Sequence, residues 1–150
     1  MALTGLVLAG FVLGHMTGNL LMFKGPEAIN AYAAWLHANK GLLWGARVVL
    51  IISVFAHIWV GIQLALENRA ARDGGPADDA TRRATLASRT MPYSGVVILG
   101  FAVFHLLHYT FRTVALGGVT FGDDVYKMLI AGFSNKPVAV FYIVSMLLLC

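Results

Sequence analysis

Charge is what this chain has least of. Of its 150 residues only 12% are charged and 59% are hydrophobic, and the mean hydropathy is +0.76. A soluble domain carries about 25% charged residues, so an ordinary water-soluble core is excluded and the chain reads as a polytopic membrane protein. The formal charge of +4 is dispersed over polar connections with no basic stripe, which excludes a nucleic-acid surface. The positive charges read instead as topology signals in a lipid bilayer. The one cysteine, Cys150, excludes a disulfide or a thiolate metal cage within the chain. No basic residue precedes the apolar run that opens at Ala2, the run is long, and no small-residue cleavage site follows it, so it is not a secretory signal. A last apolar run starts at Pro137 and reaches Cys150 after 14 residues, about 21 Å of helix against a hydrocarbon core of roughly 30 Å. The sequence therefore reads as a fragment, cut at the C-terminus and at the N-terminus.

What is present is a series of long uncharged runs separated by polar connections. Helix I is expected over Ala2–Phe23, with a small-residue row of Gly10, Gly14 and Gly18 and with His15 in mid-span. Such a row admits a neighbouring helix, its commoner use, or a flat ligand. Lys24–Gly41 is a polar connection in which Gly25-Pro26 opens a short interfacial helix, with Tyr32 and Trp35 as belt aromatics and His37 outside the core. Helix II is expected over Leu42–Leu66, with Arg47 snorkelling, His57 in the middle and Gly61 one turn later. The connection Glu67–Arg89 carries five arginines and four acids and is broken by Gly74-Gly75-Pro76, whereas each of the other two connections carries two lysines. The positive-inside rule then puts Glu67–Arg89 in the cytoplasm. Helix III is expected from Pro92 to about Leu116, ended by Gly117-Gly118. Another interfacial helix follows over Asp123–Phe133, capped by Asp123 or Asp124, and helix IV starts at Pro137. Short connections make neighbours antiparallel, so the expected fold is an all-α transmembrane antiparallel bundle, with short interfacial helices, forming a single domain over 1–150.

Each of the first three spans carries a histidine. An imidazole in hydrocarbon is costly unless the protein uses it, and one alone more often bonds a neighbouring helix. His15 stands 13 residues after Ala2 and His105 stands 13 residues after Pro92. On parallel helices both rings lie about 20 Å from the cytoplasmic edge. His57, nine residues from Leu66, lies about 14 Å from the same edge. Two imidazoles at one height suit a bis-histidine haem b, each giving one ring nitrogen to iron and donating through the other. Gly18 and Gly61, one turn from His15 and His57, leave room for a porphyrin. Zinc asks for three or four convergent ligands, and a proton pathway brings Asp or Glu into the spans, where there are none. His108 could replace His105 on iron, but it sits three residues too deep to match His15. Its expected place is the haem edge or an outer quinone region.

The opening ALTGLVLAGFVLGHMTGNL, the connection GPEAINAYAAWLH, FAHIWVGIQLAL in helix II, SRTMPYSGVVILGFAVFHLLH in helix III and FYIV in helix IV together resemble the cytochrome b membrane anchor of succinate dehydrogenase and fumarate reductase. The type is the single-subunit anchor with five helices and two haems. The resemblance covers essentially the whole chain. It implies His15 and His105 as ligands of the outer haem and His57 as a ligand of the inner haem, whose fourth ligand falls past Cys150, so that one haem is fully ligated by the residues given. It also implies flavoprotein and iron–sulfur subunits as partners, docked on the cytoplasmic side, a bacterial cytoplasmic membrane as the location, and menaquinone as the quinone. The anchor itself then performs no chemistry on the dicarboxylate. Candidate quinone contacts are His108 and Tyr109 with Glu27, Asn30 and Tyr32, where Glu27 would take up the proton that quinol oxidation releases. The rival readings are a dihaem anchor of another respiratory oxidoreductase and a haem-free helical transporter.

Overall fold

A computed structural model describes residues 1–73, 86–113 and 123–149. The Gly74-Gly75-Pro76 break, the expected end of helix III at Leu116 to Gly118, and Cys150 lie outside them. The described chain is all-α, with no strand among its residues. In order the helices are α1 (Ala2–Asn19), α2 (Pro26–Ala38), α3 (Lys40–Asp73), α4 (Leu86–His105), α5 (Val125–Ser134) and α6 (Lys136–Leu149). Three stretches are long and apolar enough to cross a membrane, Ala2–Lys24, Lys40–Ala70 and Thr90–Thr110, and α5 with α6 makes a fourth if that pair, bent by 91°, is one span. Large apolar side chains stand outward on these helices, among them Leu3, Leu6, Phe55 and Trp59. Helices that are apolar on their outer faces need lipid around them, and the chain is a multi-pass membrane protein.

Helix boundaries differ from the sequence expectation where apolarity ends before helicity does. α3 runs on from Leu66 to Asp73, because Ala65, Glu67, Arg69, Ala70 and Arg72 are good helix formers in water. α4 begins at Leu86 and carries Pro92 inside it, a placement membrane helices tolerate. α4 also stops early. From Leu106 to Thr110 the chain takes one π turn. Phe111 N–H donates to Leu106 O at 2.8 Å, Thr113 N–H donates to Leu107 O at 3.1 Å, and Arg112 at φ 54° turns the chain out of the helix.

The chain divides into two compact units, Met1–His15 with Lys40–Pro92, and Met16–Asn39 with Tyr93–Cys150. In the first, the start of α1 meets the middle of α3. Gly5 faces His57, its Cβ position 3.5 Å from the ring, and Gly61 faces Met1 at 3.6 Å. Arg47 lies 5.1 Å over the Trp44 ring, an interfacial cation–π pair.

The second unit is built on the interfacial helices. α1 tightens into a 3-10 turn over Leu20–Lys24 and stops at Gly25, whose φ of 106° and ψ of 173° fall in a region open essentially to glycine alone. Pro26 then starts α2 at its first position, where a missing N–H costs nothing. α5 is capped by Asp124, whose side chain accepts from Lys127 N–H at 3.1 Å. Asn30 on α2 donates to the same carboxylate at 3.0 Å and accepts from Tyr126 N–H at 3.1 Å, so one helix supplies part of the other's cap. The Lys127 amide, then the Asn30 amide, then the Lys127 ammonium hold the Asp124 carboxyl well below its ordinary value, at about 2. Ile29 and Val138, each 2% exposed, form the apolar centre here together with Leu129 and Tyr142. Asn135 breaks the chain between α5 and α6. Its backbone N–H donates to Gly132 O at 3.3 Å, and its side chain accepts from Val138 N–H at 3.5 Å, the arrangement of an N-cap.

Candidate functional site

The bend at Asn135 lays α6 against α4, and the result is a cluster of rings. Phe101, Phe104, His105, His108 and Tyr109 come from α4 and its π turn, Phe133 from α5, and Phe141 and Tyr142 from α6. Phe104 and Phe141 have centroids 4.5 Å apart, Phe101 meets Tyr142 edge-on at 5.4 Å, and Phe133 meets Tyr142 at 5.2 Å. Edge-on and offset contacts of this kind each add about 0.5–1.5 kcal/mol beyond burial. At the middle sits the Tyr142 hydroxyl. It lies 3.4 Å from His105 Nδ1 and 3.4 Å from His108 Nδ1, both at the long end of hydrogen-bonding distance. The π turn begins just after His105, and within it His108, which is buried, lies against the same oxygen. Turns of this type gather at functional sites.

Tyr109 is packed at 4.2 Å from His108, and both press on Gly132 of α5. A Cβ there would overlap the Tyr109 hydroxyl and stand 3.1 Å from His108 Cε1. The Tyr109 hydroxyl is buried without a hydrogen-bond partner among the described residues. On the outer side of the phenylalanines, α4 and α6 leave an open apolar cleft of about 620 Å³, lined by Val97, Gly100, Phe101, Phe141, Val144 and Ser145 among others. That size is in the range of small-molecule sites.

The first unit holds a second oriented histidine. Thr4 Oγ1 donates to Met1 O at 2.9 Å and lies 3.0 Å from His57 Nδ1. A hydroxyl has one proton to give. When it is directed at Met1 O, the hydrogen in the 3.0 Å contact to His57 is the imidazole's own, and in that tautomer Nδ1 carries the hydrogen and Nε2 the lone pair. That is the tautomer a metal-ligating histidine adopts when a partner holds its other nitrogen.

The remaining sequence candidates fall as follows. His15 is on the exposed side of α1, with the Phe11 ring 5.4 Å away. Gly18 is buried, and Tyr32 covers it, 2.7 Å from its Cβ position, so in this structure an aromatic side chain takes the space beside it. Asn30 is committed to the α5 cap, and Glu27 is exposed in the first turn of α2. His37 is exposed in the last turn of α2, as an interfacial histidine should be. Sequence reasoning missed Thr4 and Tyr142. The available signal was that a hydroxyl in an apolar span needs a partner as much as an imidazole does.

Among the described residues no three or more His, Cys, Asp or Glu side chains converge on one point. A haem asks for less, two axial imidazoles with their far nitrogens held. His57 and His105 each have Nδ1 turned to a hydroxyl, which makes Nε2 the nitrogen an iron would take, so each ring by itself fits the part of one axial ligand. Comparison of the chain with protein-family models, with characterised proteins and with solved structures gives no match.

Proposed function

We propose that this chain is the haem-binding membrane anchor of a succinate dehydrogenase or quinol:fumarate reductase, joining a cytoplasmic iron–sulfur subunit to quinone in a bacterial cytoplasmic membrane. The observation that supports it most is the paired orientation just described: two mid-span histidines, His57 and His105, each held through Nδ1 by a hydroxyl from another helix. Helix packing asks only that an imidazole find some partner. Two rings held by the same nitrogen, each leaving Nε2 for a ligand, are what axial ligation needs.

In this reading His15 and His105 hold one haem and His57 contributes to a second. Bound haem supplies a one-electron relay whose potential follows its axial ligands, burial and the hydrogen bonds behind them. The chain's own residues do the rest. Thr4 and Tyr142 fix the ring nitrogens, and the wall of Phe101, Phe104 and Phe141 keeps water from the His105 side. Tyr109, whose buried hydroxyl lacks a partner among the described residues, is the donor we assign to a quinone oxygen, with His108 beside it and Glu27 at the interface as proton acceptor.

The test is a reduced-minus-oxidised visible spectrum of the protein purified from its membrane, with haem counted per chain and the copurifying subunits identified. A low-spin b-type spectrum with flavoprotein and iron–sulfur partners is expected. A colourless protein sinks the reading in favour of a haem-free transporter. A b-type spectrum with a different soluble partner makes it the anchor of another oxidoreductase.

A further inference from the structure

Tyr142 stands between two histidines with a single proton. If both imidazoles donated Nδ1–H to its oxygen, the tyrosine proton would have no acceptor in the cluster. Both cannot accept, since the hydroxyl has one proton. The arrangement that makes both contacts hydrogen bonds and uses the tyrosine proton has one ring donating to the tyrosine and the tyrosine donating to the other. The two neutral rings are then opposite tautomers. One carries its proton on Nδ1 and has a lone pair on Nε2, and the other carries its proton on Nε2.

We propose that Tyr142 is the positioning residue of this site. Its hydroxyl, 3.4 Å from Nδ1 of His105 and of His108, couples the two rings so that only one can present an unprotonated Nε2 at a time. Two consequences follow, the first resting on the haem reading above. An iron on His105 Nε2 requires His105 Nδ1–H to donate to Tyr142 and Tyr142 O–H to donate to His108 Nδ1. His108 is then locked as an Nε2–H donor and cannot serve as a second ligand through that nitrogen. Second, His108 becomes the kind of group a quinone carbonyl oxygen takes, and it does so because His105 is ligated. The surroundings hold the chain of bonds in place: Tyr142 is 7% exposed and His108 is 8% exposed, and Phe101, Phe104 and Phe133 pack around the tyrosine.

The experiment uses the protein in lipid nanodiscs with ¹⁵N-labelled histidine, read by the ring-nitrogen shifts, which separate Nδ1–H from Nε2–H. His105→Gln and His108→Gln supply the assignments. In haem-free protein the two rings should show opposite tautomers, and Tyr142→Phe should abolish that relation while near-ultraviolet circular dichroism stays that of a folded protein. Haem is then titrated in. Tyr142→Phe should keep a low-spin spectrum but bind about 10–100-fold more weakly, the usual effect of removing a partner behind a ligating histidine. Two rings in the same tautomer, or a tautomer pattern unchanged by Tyr142→Phe, overturns the proposal. Failure of the unsubstituted protein to take up haem overturns the haem reading alone, since the tautomer result judges Tyr142 without it.

Discussion

Replacing Gly132 by alanine places a methyl group where α5 touches the ring cluster. The added Cβ would stand 3.1 Å from His108 Cε1 and 3.2 Å from Tyr109 Cζ, and would overlap the Tyr109 hydroxyl. Carbon atoms in good contact are about 3.5–4.0 Å apart, so both rings must retreat. They have little room, since Tyr109 is backed by His108 at 4.2 Å, Tyr142 at 6.0 Å and Phe133 at 6.4 Å between centroids. Overpacking of this kind costs about 1–3 kcal/mol, while exchanging glycine for alanine in a helix offsets at most about 1 kcal/mol. The overlap wins, and Gly132→Ala should destabilise by about 1–2 kcal/mol. For a chain of this size that lowers Tm by roughly 2–8 °C, measured by thermal unfolding in a fixed detergent without added quinone. Tyr109→Phe removes the overlapping atom, and with it a buried hydroxyl that has no partner among the described residues. Alone it should raise Tm or leave it unchanged, because a buried group without a hydrogen bond costs about 1–3 kcal/mol. In the double variant most of the loss caused by Gly132→Ala should disappear, a coupling of at least about 0.5 kcal/mol. Strictly additive effects, or a Gly132→Ala protein as stable as the original, would refute the close approach of α5 to the cluster.

His105→Ala should remove a low-spin haem that His108→Ala retains, compared by haem content and spectrum. The reverse outcome would mean that the π turn presents His108, and not His105, to the iron. Asn30→Ala removes one bond to the Asp124 carboxylate and one from Tyr126 N–H, a loss of about 1–2 kcal/mol that should speed amide exchange at Tyr126 about 5–30-fold. The Asp124 carboxyl is held from an ordinary 3.8 down to about 2. Its ionised form therefore contributes fully above about pH 4, and the contribution fades as pH falls through about 2. Exchange at Lys127 N–H should be insensitive to this group between pH 5 and 8, and a transition there near neutrality would contradict the cap. Gly25→Ala should destabilise by about 1–3 kcal/mol, because φ 106° with ψ 173° is a backbone state that alanine resists.

The local chemistry of the connections was legible from residues alone. Pro26 opens α2, Asp124 caps α5 and α6 starts one residue before Pro137, because caps and prolines act on neighbours within one turn. The reach of α3 to Asp73 and of α4 back to Leu86 was not. Hydropathy marks where lipid begins, and a helix of Ala, Glu and Arg continues past that line unseen. The histidines stood out because an imidazole in an apolar run is rare. Their partners did not. Thr4 is 53 residues from His57, and Tyr142 is 37 from His105 and 34 from His108, separations no periodicity reports. The π turn at Leu106–Thr110 has no signature in its residues either.

The bond between Asn30 and Asp124 is also a statement of parity. Two residues that share a hydrogen bond at the membrane edge are on one side of the bilayer, whatever the chain does between them. Between them it must then cross an even number of times, and α3 and α4 supply two crossings. Glu67 and Arg69, at the far end of α3, are thereby assigned to the opposite side from Asn30 without counting a single loop charge. A lone contact between two short helices thus fixes the parity of the crossings between them, independently of the arginine bias. Cysteines introduced at 30 and 124 should accordingly label together from one face, and one introduced at 69 from the other.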